Sequence, residues 1–301
     1  MNRVLVTGAS GFVGRFAVKA LTARGFEVHG VARRPEGTIE ASTWYQEDLL
    51  EPEAARRLMR VSRPSHLLHL AWTTTHGRYW DDQANLDWVA ATRRLVDAFT
   101  EAGGARMVIT GSCAQYDWTV DEEMAETETP RRPATLYGQA KESATRLFEA
   151  SQAEGAPSSA TALLFFPYGP FEAPERLVPS VTLSLLAGEE ARTTAGAQVR
   201  DFVHVADCGA ALAALVDGHT TGAVNVGSGQ GTTVADVART LARLVEREEL
   251  LRIGALPGDD GTHVVAETTR LRKEVGFAPR YGLEDGLRDA VEWWRQRTRR
   301  R

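Results

Sequence analysis

The first half of the chain alternates short apolar runs with longer segments whose apolar residues recur every three or four positions. This pattern predicts strands at residues 3–7, 27–31, 66–71, 106–110 and 160–166, and helices at 12–24, 51–61, 82–102 and 135–153. Strands that alternate with helices pair in parallel through right-handed crossovers. We therefore predict an α/β fold with a doubly wound parallel sheet.

The rhythm changes after Pro167, where prolines and glycines cluster before a helix predicted at 178–187. Strands near 199–203 and 222–226 flank a helix at 205–217, and we expect both strands to return to the main sheet. Further helices are predicted at 233–247, 267–275 and 284–298. The sequence thus predicts two lobes, one formed by residues 1–165 and 199–226 and a smaller one formed by 166–198 and 227–301.

Composition and charge argue against several classes of partner. The chain has 301 residues, 43% of them hydrophobic, which provides for one large core or a core with a smaller cap. Its formal net charge of -5 gives no basic field for nucleic acid or anionic lipid, and no run is long enough for a membrane helix. Two cysteines cannot form a disulfide framework. We expect a cytoplasmic enzyme that binds neither nucleic acid nor membrane.

No metal site is predicted. His66 and His69 are three residues apart on a predicted strand, so their side chains point to opposite faces. The acidic segment 117–128 fits a solvated loop, because blocks of like charge face water.

Three glycines lie between the first strand and the first helix, within Thr7-Gly8-Ala9-Ser10-Gly11-Phe12-Val13-Gly14. Glycine allows a tight turn and a close approach of backbone to a pyrophosphate, whose charge a helix N-terminus attracts. The position after an apolar strand and before an amphipathic helix makes the motif specific. We predict a dinucleotide-binding turn formed by Gly8, Ser10, Gly11, Phe12, Val13 and Gly14.

The end of the second strand indicates which dinucleotide is preferred. NAD-specific folds usually carry an acidic residue there for the ribose hydroxyls, whereas arginine suits a ribose phosphate. This strand ends in Ala32-Arg33-Arg34, and both guanidinium groups offer forked donors to a phosphate. We predict that NADP(H) is preferred, with NAD(H) as the alternative. Asp48-Leu49 is a weaker candidate for the adenine contact.

Tyr137 and Lys141 are four residues apart at the start of a predicted helix, which places both side chains on one face. A phenol needs a nearby positive charge to serve as an acid-base catalyst near neutral pH, and Lys141 can supply that charge. Ser112 follows the strand at 106–110, at the edge where sites form in doubly wound sheets. Its hydroxyl can hydrogen-bond a reacting oxygen, although it can equally be a turn residue.

Together these residues resemble the extended short-chain dehydrogenase/reductases, the NAD-dependent epimerase/dehydratase family, which acts mostly on nucleotide-diphosphate sugars. The resemblance covers nearly the whole chain and rests on residues 7–14, 66–71, Asn85, Ser112, Tyr137 with Lys141, 168–170, 200–207, 225–229 and 276–279. It implies a Rossmann doubly wound parallel sheet that binds the dinucleotide, with a smaller C-terminal substrate-binding lobe. It also implies a homodimer formed through the helices at 82–102 and 135–153.

The resemblance also implies roles for individual residues. Ser112, Tyr137 and Lys141 would form the catalytic trio, and Lys141 would also hold the nicotinamide ribose. Arg200 would bind the diphosphate of the substrate, although an ion pair with a neighbouring carboxylate is the alternative. Further cofactor contacts fall on Leu70, Ala71, Trp72 and Asn85, and further substrate contacts on Ser112, Cys113 and Arg176.

Departures from the family pattern narrow the activity. Dehydratases of the family carry Asp-Glu after the catalytic hydroxyl, where this chain has Cys113-Ala114, so dehydration is not expected. The family's asparagine before Tyr-Gly-Pro is missing from Phe165-Phe166-Pro167. The pattern is most similar to nucleotide-sugar 4-ketoreductases of the abequose synthase type.

The sequence therefore predicts NADPH-dependent reduction of a nucleotide-linked 4-keto-6-deoxysugar. A sugar-nucleotide epimerase needs the same trio and stays open. A reductase of a non-sugar ketone or aldehyde, favoured by Phe165-Phe166, and a dinucleotide sensor without turnover are further alternatives.

Overall fold

The computed structural model describes residues 2–35, 39, 41–151, 156–258 and 261–299. Its strands are, in chain order, β1 (Arg3–Thr7), β2 (Glu27–Ala32), β3 (Thr43–Gln46), β4 (His66–His69), β5 (Arg106–Ser112), β6 (Ser158–Leu164), β7 (Phe166–Tyr168), β8 (Ala191–Arg192), β9 (Val199–His204), β10 (Gly222–Val226), β11 (Gly231–Thr233), β12 (Leu251–Arg252) and β13 (His263–Val264). Its α-helices are α1 (Phe12–Ala23), α2 (Ala54–Ser62), α3 (Ala84–Glu101), α4 (Leu136–Ala150), α5 (Leu177–Leu186), α6 (Val205–Asp217), α7 (Val234–Val245), α8 (Thr269–Lys273) and α9 (Leu283–Thr298).

Seven strands form one parallel sheet in the order β10-β6-β5-β4-β1-β2-β3. The predicted α/β fold is confirmed. One core packs α1 and α6 against one face, and a second packs α2, α3 and α4 against the other. The strand order reverses at β1, because β2 continues on one side of it and β4 lies on the other. A crevice forms at the carboxyl ends of strands where the order reverses, and it is the usual ligand site in such sheets.

A second, four-stranded sheet lies outside the main one, with β9 paired to β7, β11 and β13. Helices α5, α7 and α9 share a third apolar core beside it. The expectation that residues 199–203 return to the main sheet was therefore wrong, whereas β10 does pair with β6. The apolar pattern of β9 fits any half-buried strand and does not indicate which strand pairs with it. In the structure β9 pairs with β7, which lies outside the main sheet directly after β6. The two-lobe division itself stays a prediction.

Two local features differ from the sequence-based expectation. The edge strand β3 was not predicted; the ring of Trp44 lies over Gly30, where a Cβ would be 2.8 Å from it. The acidic segment is only partly solvated, because Glu126 is buried and its carboxylate accepts the Asn225 amide at 2.7 Å. The predicted helix at 135–153 is α4, and its expected end lies outside the described residues.

None of the helices in the described part of the chain is long and apolar enough to cross a membrane. Among the same residues there is no group of three or more His, Cys, Asp or Glu side chains that could hold a metal ion.

Candidate active site

The glycine-rich turn lies at the carboxyl end of β1. Gly8 has a φ of 67°, in the left-handed region, and its carbonyl accepts the Gly11 amide at 2.9 Å. A Cβ on Gly14 would collide with the Gly8 carbonyl oxygen, and a Cβ on Gly8 would lie 2.9 Å from the Ala71 nitrogen. Glycine is required at both positions, and it leaves backbone and a helix N-terminus open to an anionic ligand.

A cavity of about 610 Å³ opens over this turn. It collects most of the predicted cofactor residues: Gly8, Ser10, Gly11, Arg33, Arg34, Asp48, Leu49, Ala71 and Trp72. Arg33 and Arg34 are exposed directly after β2. Asp48 accepts the Leu50 amide at 3.0 Å. Backbone donors at the turn and two exposed guanidinium groups therefore line one cavity, and both suit an anionic ligand.

A second cavity of about 290 Å³ adjoins the first and shares Gly8, Gly11, Ala71 and Trp72 with it. The predicted trio of Ser112, Tyr137 and Lys141 lies in its wall. Its wall also contains the remaining turn residues Phe12, Val13 and Gly14, and with them Leu70, Cys113 and Arg176. The predicted trio and the glycine-rich turn therefore meet at one edge of the sheet.

Tyr137 stands in the first turn of α4, which Thr135 caps by accepting the Gly138 amide at 3.1 Å. The backbone amide of Tyr137 donates to the Trp80 carbonyl at 2.9 Å. Burial raises the pKa of the Tyr137 phenol, although a hydrogen bond with Ser112 and the charge of Arg176 oppose the rise. This direction is opposite to the one that the sequence led us to expect, because burial outweighs the nearby positive charge.

Lys141 lies one turn further along α4 and is buried. Its Nζ donates to the Thr110 carbonyl at 2.9 Å and lies 4.0 Å from the centre of the Trp72 ring. Burial lowers the pKa of Lys141 to about 7. The lysine of the trio, easily deprotonated near neutral pH, thus lies against Trp72, a residue that lines both cavities.

Ser112 ends β5 and caps a short turn. Its hydroxyl accepts the Ala114 amide at 3.2 Å, and its own amide donates to the side chain of Gln115 at 2.9 Å. Gln115 is fully buried and donates in turn to Glu142 of α4 at 2.8 Å. The serine is therefore held against the helix that carries Tyr137 and Lys141.

Asn85 lies beneath the cavities and does not line their walls in the described structure. It is fully buried, accepts the Trp72 indole N–H at 2.8 Å and donates to the Tyr79 carbonyl at 2.7 Å. Asn85 thus supports two wall residues, and its contact with the cofactor stays a prediction.

A buried histidine supports the turn from below. The ring of His69 hydrogen-bonds the Thr7 hydroxyl at 2.7 Å and the Thr92 hydroxyl at 2.9 Å. Burial lowers the pKa of His69 to about 3, so the ring is neutral in the folded protein. His66 instead bonds Ser65 at 2.9 Å, which agrees with the prediction that both histidines are structural.

The two predicted substrate arginines lie on the outer side of the cavity that the trio lines. Arg176 lines both this cavity and an outer cavity of about 180 Å³, whereas Arg200 lines the outer one. Nη1 of Arg200 donates to the carbonyls of Val199 and Thr262 at 2.9 and 2.7 Å. The neighbouring Asp201 accepts the amides of Ser228, Gly229 and Ala266.

Sequence reasoning missed the aromatic wall of the trio's cavity, which consists of Tyr79, Trp80 and Trp118. The rings of Tyr79 and Trp80 meet Tyr137 edge-on, with centroids 5.0 and 5.7 Å from its own. A signal was present, because three of the seven tryptophans fall between residues 72 and 88.

Comparison with known proteins agrees with this geometry. Residues 4–227 match the model of the NAD dependent epimerase/dehydratase family. The chain is 30% identical to MoeE5, solved in complex with UDP-glucuronic acid and NAD, with a TM-score of 0.87 over 98% of this chain and 100% of that one. It is 29% identical to TunA, an NAD dependent NDP-hexosamine 5,6-dehydratase involved in tunicamycin biosynthesis, with a TM-score of 0.85 over 98% of each chain.

A curated relative, the dTDP-glucose 4,6-dehydratase of Neisseria gonorrhoeae, is 26% identical over 100% of this chain and 97% of its own length. UDP-glucose 4-epimerase 3 of Oryza sativa subsp. japonica is 25% identical over 96% of this chain and 89% of its own. The family model spans well over half of the chain, and these relatives align along nearly all of it. The chain belongs to the NAD dependent epimerase/dehydratase family.

Proposed function

We propose that this chain moves a hydride between a nicotinamide dinucleotide and a carbon of a nucleotide-diphosphate sugar. The observation that carries the proposal is the convergence of Ser112, Tyr137 and Lys141 in one cavity. That cavity adjoins the glycine-rich turn on one side and the two arginines on the other. The wall positions fit a dinucleotide, a sugar ring and a diphosphate in that order.

Each member of the trio has a distinct role in the proposed reaction. When bound, the dinucleotide supplies or accepts the hydride. In reduction the hydroxyls of Ser112 and Tyr137 hold the carbonyl oxygen, and Tyr137 donates its proton to that oxygen as the carbon is reduced. Solvent then restores the phenol. Lys141, four residues from Tyr137 on α4, provides positive charge that favours the transient phenolate.

Elimination of water from the sugar fits this cavity poorly. Dehydration needs a group that removes a carbon-bound proton and one that protonates the leaving hydroxyl. The two positions after Ser112, where dehydratases of the family carry Asp-Glu, are Cys113 and Ala114 in this chain. Burial raises the pKa of the Cys113 thiol to about 12. No Asp or Glu lines the described wall of the trio's cavity.

Net reduction of a 4-keto-6-deoxysugar with NADPH is the form of the reaction that Arg33 and Arg34 favour. Both are exposed at the wall of the 610 Å³ cavity, where they suit a ribose phosphate. Epimerisation with NAD is the second candidate, and the relatives favour it over net reduction. The four proteins named above are a UDP-glucose 4-epimerase, two dehydratases and MoeE5, which was solved with NAD and UDP-glucuronic acid.

One absorbance experiment distinguishes the two forms. The purified protein is mixed with a panel of nucleotide-linked sugars and 4-keto-6-deoxysugars, with NADPH, NADH and NAD in parallel and Tyr137→Phe as the control, and the sugars are analysed by chromatography. Stoichiometric loss of NADPH absorbance supports net reduction. Interconversion of sugars with no net NADPH loss supports the epimerase, and neither reaction with any sugar contradicts both.

We also propose a homodimer through α3 and α4, which pack against each other. Leu86 of α3 and Leu147 of α4 are exposed there. Light scattering should give twice the chain mass, and a Leu86→Glu, Leu147→Glu double variant should halve it.

A further inference from the structure

The guanidinium of Arg200 lies against two aromatic rings. Its Cζ is 5.2 Å from the centre of the Trp118 ring and 5.4 Å from the centre of the Phe166 ring, and these rings are 6.2 Å apart. Arg200 is buried, and Nη1 bonds two backbone carbonyls. The rings and the carbonyls together restrict the guanidinium to one orientation.

Trp118 also touches the proton-handling side of the site. Its indole N–H donates to the Cys113 carbonyl at 2.8 Å, one residue after Ser112. Its ring meets Trp80 edge-on, with centroids 6.2 Å apart, and Trp80 meets Tyr137 in the same way. Trp118 is thus in contact with the turn that holds the serine, with the ring beside the tyrosine and with the arginine of the outer cavity.

We propose that Trp118 is a positioning residue that holds Arg200 at a set distance from Ser112 and Tyr137, so that one substrate spans both. The inference rests on the proposed function, in which Arg200 binds the diphosphate. Contact with two aromatic rings stabilises one position of the guanidinium. It also removes side-chain freedom before the ligand binds, which strengthens binding. Phe166, in the segment where this chain lacks the family's asparagine, supplies the second ring.

The test measures the binding of UDP, CDP and dTDP by calorimetry, with NADPH present. Without Trp118 the ordering of the Arg200 side chain must take place on binding, which corresponds to about two- to tenfold in affinity, so Trp118→Leu should raise the Kd by up to about tenfold. Trp118→Phe keeps a ring and should restore most of the affinity. Trp293→Leu removes a tryptophan from α9, away from these cavities, and should leave the Kd unchanged.

A double-mutant cycle separates positioning from a direct contact. If Trp118 acts through Arg200, adding Trp118→Leu to Arg200→Gln should change the Kd by less than about twofold. A tenfold loss on both backgrounds, or no loss in Trp118→Leu, would overturn the inference. Phe166→Leu, which removes the other ring, gives a second test if Trp118→Leu does not fold; unchanged affinity in that variant would overturn it too.

Failure of the proposed function has a different outcome. Wild-type protein that binds NADPH but none of the three diphosphates at millimolar concentration contradicts the nucleotide-sugar assignment itself. Wild-type protein that binds one of them as tightly as its Trp118→Leu variant contradicts only the role of Trp118.

Discussion

Replacement of Lys141 by methionine should make the protein more stable at neutral pH while removing its activity. The lysine is buried, and burial lowers its pKa from 10.5 to about 7. The folded state therefore binds this proton more weakly than the unfolded chain does. Wild-type stability should rise as the pH rises from about 7 to about 10.5, the window between the two pKa values.

The magnitude follows from proton linkage. With pKa values of about 7 folded and 10.5 unfolded, the lysine costs about 4 kcal/mol of folding free energy at pH 7 and about 1 kcal/mol at pH 10. Methionine avoids this cost but leaves the Thr110 carbonyl without the Nζ donor, which costs about 1–3 kcal/mol. Lys141→Met should thus gain about 1–3 kcal/mol at pH 7, and at pH 10 it should be equal to wild type or up to about 2 kcal/mol less stable.

Denaturant unfolding followed by circular dichroism at pH 6, 7, 8.5 and 10 measures this difference. Lys19→Met, which changes an exposed lysine of α1, is the matched control and should show no such trend. The diagnostic quantity is the stability difference between variant and wild type, which should shrink by about 3 kcal/mol from pH 7 to pH 10. A difference that does not depend on pH would refute the reasoning, because it would mean that Lys141 keeps an ordinary pKa when buried.

Three further predictions concern the dinucleotide side of the site. Arg33→Ala should weaken NADPH binding about tenfold or more, by loss of charge-assisted hydrogen bonds, with NADH affinity unchanged in fluorescence titration; equal loss for both cofactors would contradict the assignment. Gly14→Ala should abolish binding of both dinucleotides, because its Cβ would collide with the Gly8 carbonyl; near-normal affinity would contradict this. Burial lowers the pKa of His69 to about 3, so the ring stays neutral in the folded protein. As the pH falls below 6.5, the unfolded chain binds a proton at this histidine and the folded chain does not, which lowers the free energy of unfolding. Between pH 7.5 and 5 wild type should lose about 2 kcal/mol more stability than His69→Gln, and equal losses would argue against a buried neutral ring.

The order of strands and helices, the glycine-rich turn and the tyrosine-lysine pair could all be predicted from the sequence. Each depends on neighbours along the chain: an apolar run before Gly8, a four-residue spacing between Tyr137 and Lys141. Local spacing determines which face of a helix a side chain occupies and where a turn needs glycine.

What only the tertiary structure decided depends on residues far apart in sequence. Strand β9 pairs with β7 outside the main sheet. The side chain of Asn85 hydrogen-bonds Trp72 and the backbone of Tyr79, two contacts that its position in the sequence does not reveal. The pKa of Tyr137 is raised in the structure, whereas the sequence predicts a lowered one. The reason is burial, which depends on the assembled cavity and not on the spacing along the helix. The contact between Trp118 and Arg200, which are 82 positions apart, likewise depends on tertiary packing. The sequence determines the chemistry of each side chain, and packing determines which side chains it contacts.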